Sequence, residues 1–217
     1  MNSDWEIVIK YLPLLIKGAI FTVILSILSL FFGTILGLFL AVFQISKIWI
    51  LNFFSHIYIL IIRSIPLLLI LFFIFYLPSI IFKVHVSKFF VAILSLTLYS
   101  SAYAAEIIRS GFLSIPKEQS EAGLSLGLTK LQVMRFIMIP QIFKVIIPPY
   151  VGLFTAVVKD SSLVSVICYI ELTRATRLAV MSTFKSFEFY SIALILYFVI
   201  CYPLSLYSKK AEKMVRR

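Results

Sequence analysis

Charge is what this sequence has least of. Asp, Glu, Lys and Arg make up 13% of its 217 residues, against about a quarter in an ordinary soluble domain. That leaves too little polar surface to cover a fold in water. Cysteine and histidine are also scarce, at two each. Cys168 and Cys201 lie in apolar sequence without metal-ligand spacing and read as small packing residues. His56 and His85 are isolated and read as interface anchors, so no metal site is expected. A serine with a general base, paired histidines or an aspartate pair within the apolar blocks would be needed for a membrane enzyme. None appears, and no catalytic residues are assigned. Only nine residues are acidic, giving a net charge of +11. The bases sit at the ends of apolar blocks and form no interleaved basic and aromatic surface. Orientation in a bilayer explains them, and nucleic acid is excluded as a partner.

What the chain has instead is apolar length: 62% hydrophobic residues and a mean hydropathy of +1.08. The apolar residues come in blocks of the ~20 residues that a helix needs to cross a bilayer. The chain reads as an all-α integral membrane protein with five transmembrane helices forming a single domain over residues 1–217. The first span runs from about Leu14 to Phe43, with Gly33 and Gly37 one turn apart as a close-packing face. The acidic start, Met1 to Ile7, is unlike a signal peptide, so this span is expected to be retained. The second runs from about Ile50 to Pro78, kinked near Pro66. Arg63, just before the kink, is either a snorkelling anchor or an interior residue paired across the bundle.

The third span, from about Phe89 to Ile108, is the most polar. Tyr99, Tyr103 and Glu106 share one helical face, which should look into the bundle or a wet cavity. The fourth runs from about Ile137 to Val158, with Pro140, Pro148 and Pro149 disturbing its first half. The fifth runs from about Glu188 to Tyr207. The tail from Ser208 carries five bases against one acid, which places it in the cytoplasm and the N-terminus outside. The segment 109–135 then faces inward. No repeat of 20–50 residues is visible, and so small a bundle needs a second subunit to enclose a polar route.

The inward segment is the most informative. Pro116 opens a short helix, Glu121-Ala122-Gly123 follows, and Gly127 supplies a stop. The small residues at 122 and 123 leave a flat face for another protein's groove; the alternative is a helix lying on the headgroups. Glu121-Ala-Gly, three residues, Gly127, nine residues, then Ile137-Met-Ile-Pro140 resembles the EAA signature of permease subunits of binding-protein-dependent ABC importers. Gly123 stands where that family prefers alanine, and Ile139 where it prefers leucine. Arg63-Ser-Ile-Pro-Leu-Leu68 resembles the Arg-Gly-Thr-Pro-Leu-Leu segment of its polar amino acid branch. Ala102-Tyr-Ala-Ala-Glu-Ile-Ile-Arg-Ser-Gly111, Lys159-Asp-Ser-Ser-Leu163 and Glu171-Leu-Thr-Arg174 resemble further segments of that branch, in the same order.

The resemblance implies the type I ABC importer permease (MetI-like) fold and a histidine, glutamine or arginine class of substrate. It implies three kinds of partner: a second permease, identical or sister; a pair of ATP-hydrolysing subunits that bind ATP and Mg; and an external solute-binding protein. The permease itself would hold no cofactor. Glu121, Ala122, Gly123 and Gly127 would couple to the ATPase. An amino acid crossing lipid needs partners for both of its charges. The candidates are Tyr99, Ser100, Tyr103 and Glu106 on the third span, and Lys159, Asp160, Ser161 and Ser162 at the outer end of the fourth. Lys159 and Asp160 either touch solute or pin the helix end, and Glu106 is expected to pair with an arginine. A gradient-driven carrier or channel, or an importer of another small solute, stands as the competing reading.

Overall fold

The computed structural model describes residues 2–215, leaving Met1, Arg216 and Arg217 of the basic tail outside the described residues. Among the described residues every regular element is helical. Helix α1 (Asn2–Ile45) begins well before Leu14 and passes through Pro13 without a stop. At 1.5 Å per residue it is roughly 65 Å long. α2 (Trp49–Ser64) and α3 (Leu67–Ile81) follow, then α4 (Lys88–Leu113), α5 (Lys117–Ser125) and a short α6 (Lys130–Gln132). A π-helical stretch, Val133–Met138, leads into α7 (Ile139–Asp160), which tightens into a 3₁₀ stretch, Ser161–Ile167. α8 (Leu172–Thr183) and α9 (Ser186–Val215) complete the chain. Glu6–Ile45, Lys88–Leu113, Lys130–Ile167 and Ser186–Lys213 are each long and apolar enough to cross a bilayer, and α2 with α3 would make a fifth crossing.

The second span departs from the expected kinked rod. α2 and α3 meet at 103° across Ile65 and Pro66. Proline removes a donor and forces its predecessor out of the helical region, and Ile65 is accordingly extended at φ −100°, ψ 132°. Pro78 lies inside α3 and ends nothing. In the fourth span the disturbance lies upstream of where the prolines suggest. The ladder widens to π pitch at 133–138, just before Pro140, whereas Pro148 and Pro149 are accommodated within α7. α4 and α9 both outrun their apolar blocks, ending at Leu113 and Val215.

α1 and α4 share the most extensive interface. Leu25 packs with Val91 and Leu96, Ser29 accepts from Thr97 and Ser100, and Ala41 meets Ala105 and Ile108. Numbers rise together, so the two helices run parallel, as a third span after a first must. Gly33 and Gly37 face α4. A side chain on Gly33 would strike the Ser100 hydroxyl, and one on Gly37 would lie 2.8 Å from Ala104 Cβ and 2.9 Å from the Ser101 carbonyl. α7 runs antiparallel to α4, with Gly111 against Ile142 and Ile146 and Ala104 against Leu153 and Val157. α9 runs back along α7, where the Ser208 hydroxyl donates to the Pro148 carbonyl at 3.0 Å. The result is a core helix, α4, backed by α1 and flanked by α2 and α7.

Candidate functional site

α4 separates polar from apolar work by face. Ser100, Ala104 and Ile108 are buried toward α1 and α7. The opposite stripe holds Tyr99, Tyr103 and Glu106, all half-buried. Tyr99 and Tyr103 lie with ring centroids 4.8 Å apart. The Arg63 guanidinium sits 5.3 Å over the Tyr103 ring. Glu106 accepts from Arg109 Nη2 at 2.9 Å and Nε at 3.3 Å and from the Gln44 amide at 3.2 Å, with Arg63 3.9 Å away. Arg63 reaches Glu106 across the bundle while its side chain stays 45% exposed, and Glu106 has the arginine partner expected of it in Arg109. A cavity of about 340 Å³ opens beside them, lined by Gln44, His56, Arg63, Tyr103 and Glu106. Sequence reasoning missed Gln44 and treated His56 as an anchor; the signal for Gln44 was an amide inside the apolar run Val42–Ile45.

Lys159 and Asp160 are not at the outer end of their span. Leu30, Ala104, Leu153 and Val157 form one cluster, and Asp160, just beyond it, neighbours Tyr99, the twelfth of the 26 residues of α4. Both charges therefore sit near mid-depth, because the 3₁₀ stretch carries the span on to Ile167. They line a cavity of about 480 Å³ between α7 and α9, with Gly152, Thr155, Ser205 and Ser208. Among the described residues the salt bridges are those of Glu106, so no ion pair pins Lys159 or Asp160. Asp160 neighbours Tyr99, Tyr99 lies against Tyr103 and Arg63 lies over Tyr103, so a track of polar and aromatic side chains runs from one cavity toward the other.

Two candidates fall outside the track. Ser100 is fully buried, donating to the Ser29 carbonyl at 3.3 Å, and Ser161 is fully buried, donating to the Val158 carbonyl at 2.8 Å. Both serve helix packing in this conformation, while Ser162 is half-buried. Cys201 is buried, as a packing residue should be, but Cys168 is exposed, in left-handed conformation at the end of the 3₁₀ stretch.

At the opposite end of α4, α5 stands clear of the bundle. Glu121 and Ala122 are exposed. Gly123 corrects the flat-face expectation: it is buried against its own chain, where a Cβ would meet Ile137 Cδ1 at 2.8 Å and Val133 Cγ2 at 2.9 Å. Glycine here lets α5 seat on the π-helical stretch, and the Gln141 amide donates to Gln119 Oε1 at 2.5 Å beside it. Gly127 takes φ +81°, its N–H donating to the Leu124 carbonyl and Leu128 N–H to the Gly123 carbonyl. This closure ends α5. Leu124, Leu126, Leu131 and Phe136 are exposed around it.

Glu171 is a buried carboxylate whose burial the sequence did not signal. It caps α8, accepting from the Thr173 and Arg174 N–H groups at 2.8 and 2.7 Å and from the Tyr197 hydroxyl at 3.1 Å. Next to it the Leu172 N–H donates to Thr22 at 3.1 Å, so α1, α8 and α9 meet at this point. Burial pushes the Glu171 carboxyl up to about 7, against the pull of its donors. The raised value means that the protonated form fits better. Stability from this site is full below pH ~4.5, falls as pH rises through about 7, and changes by up to about 3 kcal/mol. Amide protection factors in α8, corrected for the intrinsic pH dependence of exchange, should therefore be higher at pH 5 than at pH 8, and Glu171→Gln should remove most of the difference. An unchanged difference in Glu171→Gln would assign the pH dependence to another group.

The chain's relatives fit this architecture. Residues 33–216 match the family described as binding-protein-dependent transport system inner membrane component. The chain is 38% identical to the L-cystine transport system permease protein of Bacillus subtilis, covering 98% of this chain and 92% of that protein. It is 32% identical to the glutamine transport system permease protein of Escherichia coli K12, covering 100% and 99%. Among solved structures, one described as an amino acid ABC transporter with histidines superposes with a TM-score of 0.88 at 36% identity, covering 95% of this chain and 96% of that one. An inward-facing methionine ABC transporter superposes at 0.75 with 20% identity, a likeness of fold. The chain belongs to the family of binding-protein-dependent transport system inner membrane components.

Proposed function

We propose that this chain forms half of the translocation pathway of an ATP-driven importer of polar amino acids in the bacterial cytoplasmic membrane. The observation that carries the reading is the polar track at mid-depth. Charged groups inside a membrane bundle belong beside a wet cavity or a partner. Here Lys159 and Asp160 share one with Lys209 and Glu212, and among the described residues neither Lys159 nor Asp160 takes part in a salt bridge. Their opposite charges suit the carboxylate and ammonium of a zwitterion, with Tyr99, Tyr103 and Ser162 beside the route. The named substrates of the relatives, cystine and glutamine, are both polar amino acids.

A second permease, identical or sister, would close the track. The exposed apolar residues around α5, together with Glu121 and Ala122, would enter a groove on an ATP-hydrolysing partner that holds ATP and Mg. Closure of two such partners would draw the α5 helices together and bias the bundle between two states. A solute-binding protein would deliver from the N-terminal side. The basic tail faces the cytoplasm and the N-terminus faces out in this reading.

The test is ATP-dependent uptake of labelled L-glutamine, L-arginine and L-cystine into vesicles holding the complete complex. Asp160→Asn should lower uptake efficiency by about tenfold, the usual scale for one charged contact. Equal uptake by Asp160→Asn and the parent would remove this pair from the pathway. No ATP-dependent uptake of any amino acid would refute the importer reading.

A further inference from the structure

The smaller cavity holds more positive charge than its own residues neutralise. Glu106 is already engaged twice by Arg109, at 2.9 and 3.3 Å, and by Gln44. Arg63 meets it through a single atom pair at 3.9 Å, beyond hydrogen-bond distance. Two arginines against one carboxylate leave one net positive charge. A guanidinium offers five donors, and those of Arg63 are held in place by the Tyr103 ring beneath it. Two acceptors lie on the same cavity. Gln44 is 7% exposed, and its Oε1 has no hydrogen-bond partner among the described residues. His56 Nδ1 lies 2.8 Å from the Asn52 carbonyl; a proton on Nδ1 leaves Nε2 as an acceptor.

From this arrangement we infer that the cavity at Arg63 is a second solute site on the inner side of the pathway, which takes the amino acid's carboxylate on Arg63 and turns its ammonium toward Gln44 and His56. The site rests on the importer reading above and deepens it. Solute leaving Lys159 and Asp160 passes Tyr99 and Tyr103 and is held once more before release, while Glu106 stays on Arg109. Glu106 competes with the solute carboxylate for Arg63 and so keeps the site weak enough to empty.

The test is equilibrium binding to the complete complex, without nucleotide and without the solute-binding protein. The probes are labelled L-glutamine, L-arginine and L-cystine, each beside its α-carboxamide, in nanodiscs with and without anionic phospholipid. For the probe that is transported, binding is read in a Lys159→Gln background, which removes the cation of the first site; there the acid should be preferred over the amide by about tenfold, the scale of a charge-assisted hydrogen bond. Arg63→Gln should lose that preference, and Arg63→Lys, which keeps the charge without the planar fork, should retain part of it. Glu106→Gln should bind the acid more tightly than the parent, a direction that misfolding does not produce. Normal uptake with the full acid preference kept in Arg63→Gln would overturn the second site and leave the importer reading standing. A parent that takes up no amino acid would overturn both. Acid preference appearing only without anionic phospholipid would assign the Arg63 charge to a lipid headgroup and also overturn the proposal.

Discussion

Gly37→Leu should abolish recovery of folded permease from the membrane, because nothing in the α1–α4 interface can move aside for it. The nearest atoms to a Cβ at Gly37 are Ala104 Cβ at 2.8 Å, the Ser101 carbonyl at 2.9 Å and the Ala105 nitrogen at 3.0 Å. Two of the three are backbone, so relief requires separating the helices along the longest contact in the molecule. Overpacking a close interface costs about 1–3 kcal/mol when side chains can adjust, and here they cannot. Gly33→Ala makes the informative contrast. Its obstacle is the Ser100 hydroxyl, which can rotate away at the loss of its bond to Ser29, about 1 kcal/mol. Gly152→Ala meets no atom within 4 Å and replaces a helical glycine, so it should stabilise by up to about 1 kcal/mol. The check is monodisperse yield and thermal midpoint in detergent. The expected order is Gly152→Ala, parent, Gly33→Ala, Gly37→Ala, with Gly37→Leu unrecoverable. Gly37→Leu recovered at parental yield would refute the packing argument.

Gly127→Pro should eliminate transport while leaving the chain inserted. Gly127 has φ +81°, whereas proline is confined near −65°, and the substitution also deletes the N–H that bonds to the Leu124 carbonyl. The closure that ends α5 is lost, and α5 no longer leaves the bundle at a fixed angle. Gly127→Ala keeps the N–H and carries only the left-handed penalty of about 1–2 kcal/mol, so partial transport should survive. Glu121→Arg separates orientation from contact. Glu121 is exposed and outside the closure, so its reversal should leave α5 seated and still break association with an ATPase partner. Uptake in vesicles and co-purification with the ATPase give the two readouts. Parental values for both variants in both assays would remove α5 from the coupling role.

The apolar crossings and the short helix over Lys117–Ser125 were legible in the sequence because apolar block length and the Pro116 to Gly127 punctuation are local signals. The glycine pair at 33 and 37 and the polar face of α4 were legible for the same reason. What escaped depended on contacts between distant segments. The 103° break at Pro66 was readable as a disturbance, but its size is set by α3 packing against the N-terminal half of α4 and α2 against the C-terminal half. The depth of Lys159 and Asp160 was misjudged because hydropathy ends a span at its first charges, while the helix continues as 3₁₀ through Ser161 and Ser162. Gly123 looked like an open face because spacing on a nine-residue helix does not say which side meets the π-helical stretch. Glu171 was recognisable only as part of a segment; its burial comes from Thr22 and Tyr197, far away in the chain.

That last junction has a consequence for biosynthesis. α1 leaves the ribosome well before α8 and α9, and one of its stripes, Leu15, Gly18 and Thr22, is covered by residues 171–175 and the α9 ring of Phe189. Until the chain has grown 150 residues beyond Thr22 that stripe has no mate, and its hydroxyl faces lipid or the insertion machinery. The half from α1 to α4 can dock early, since its contacts close over a much shorter stretch of chain. The nascent permease is thus a half-built bundle for most of its synthesis, and a chain cut short before α8 would remain one.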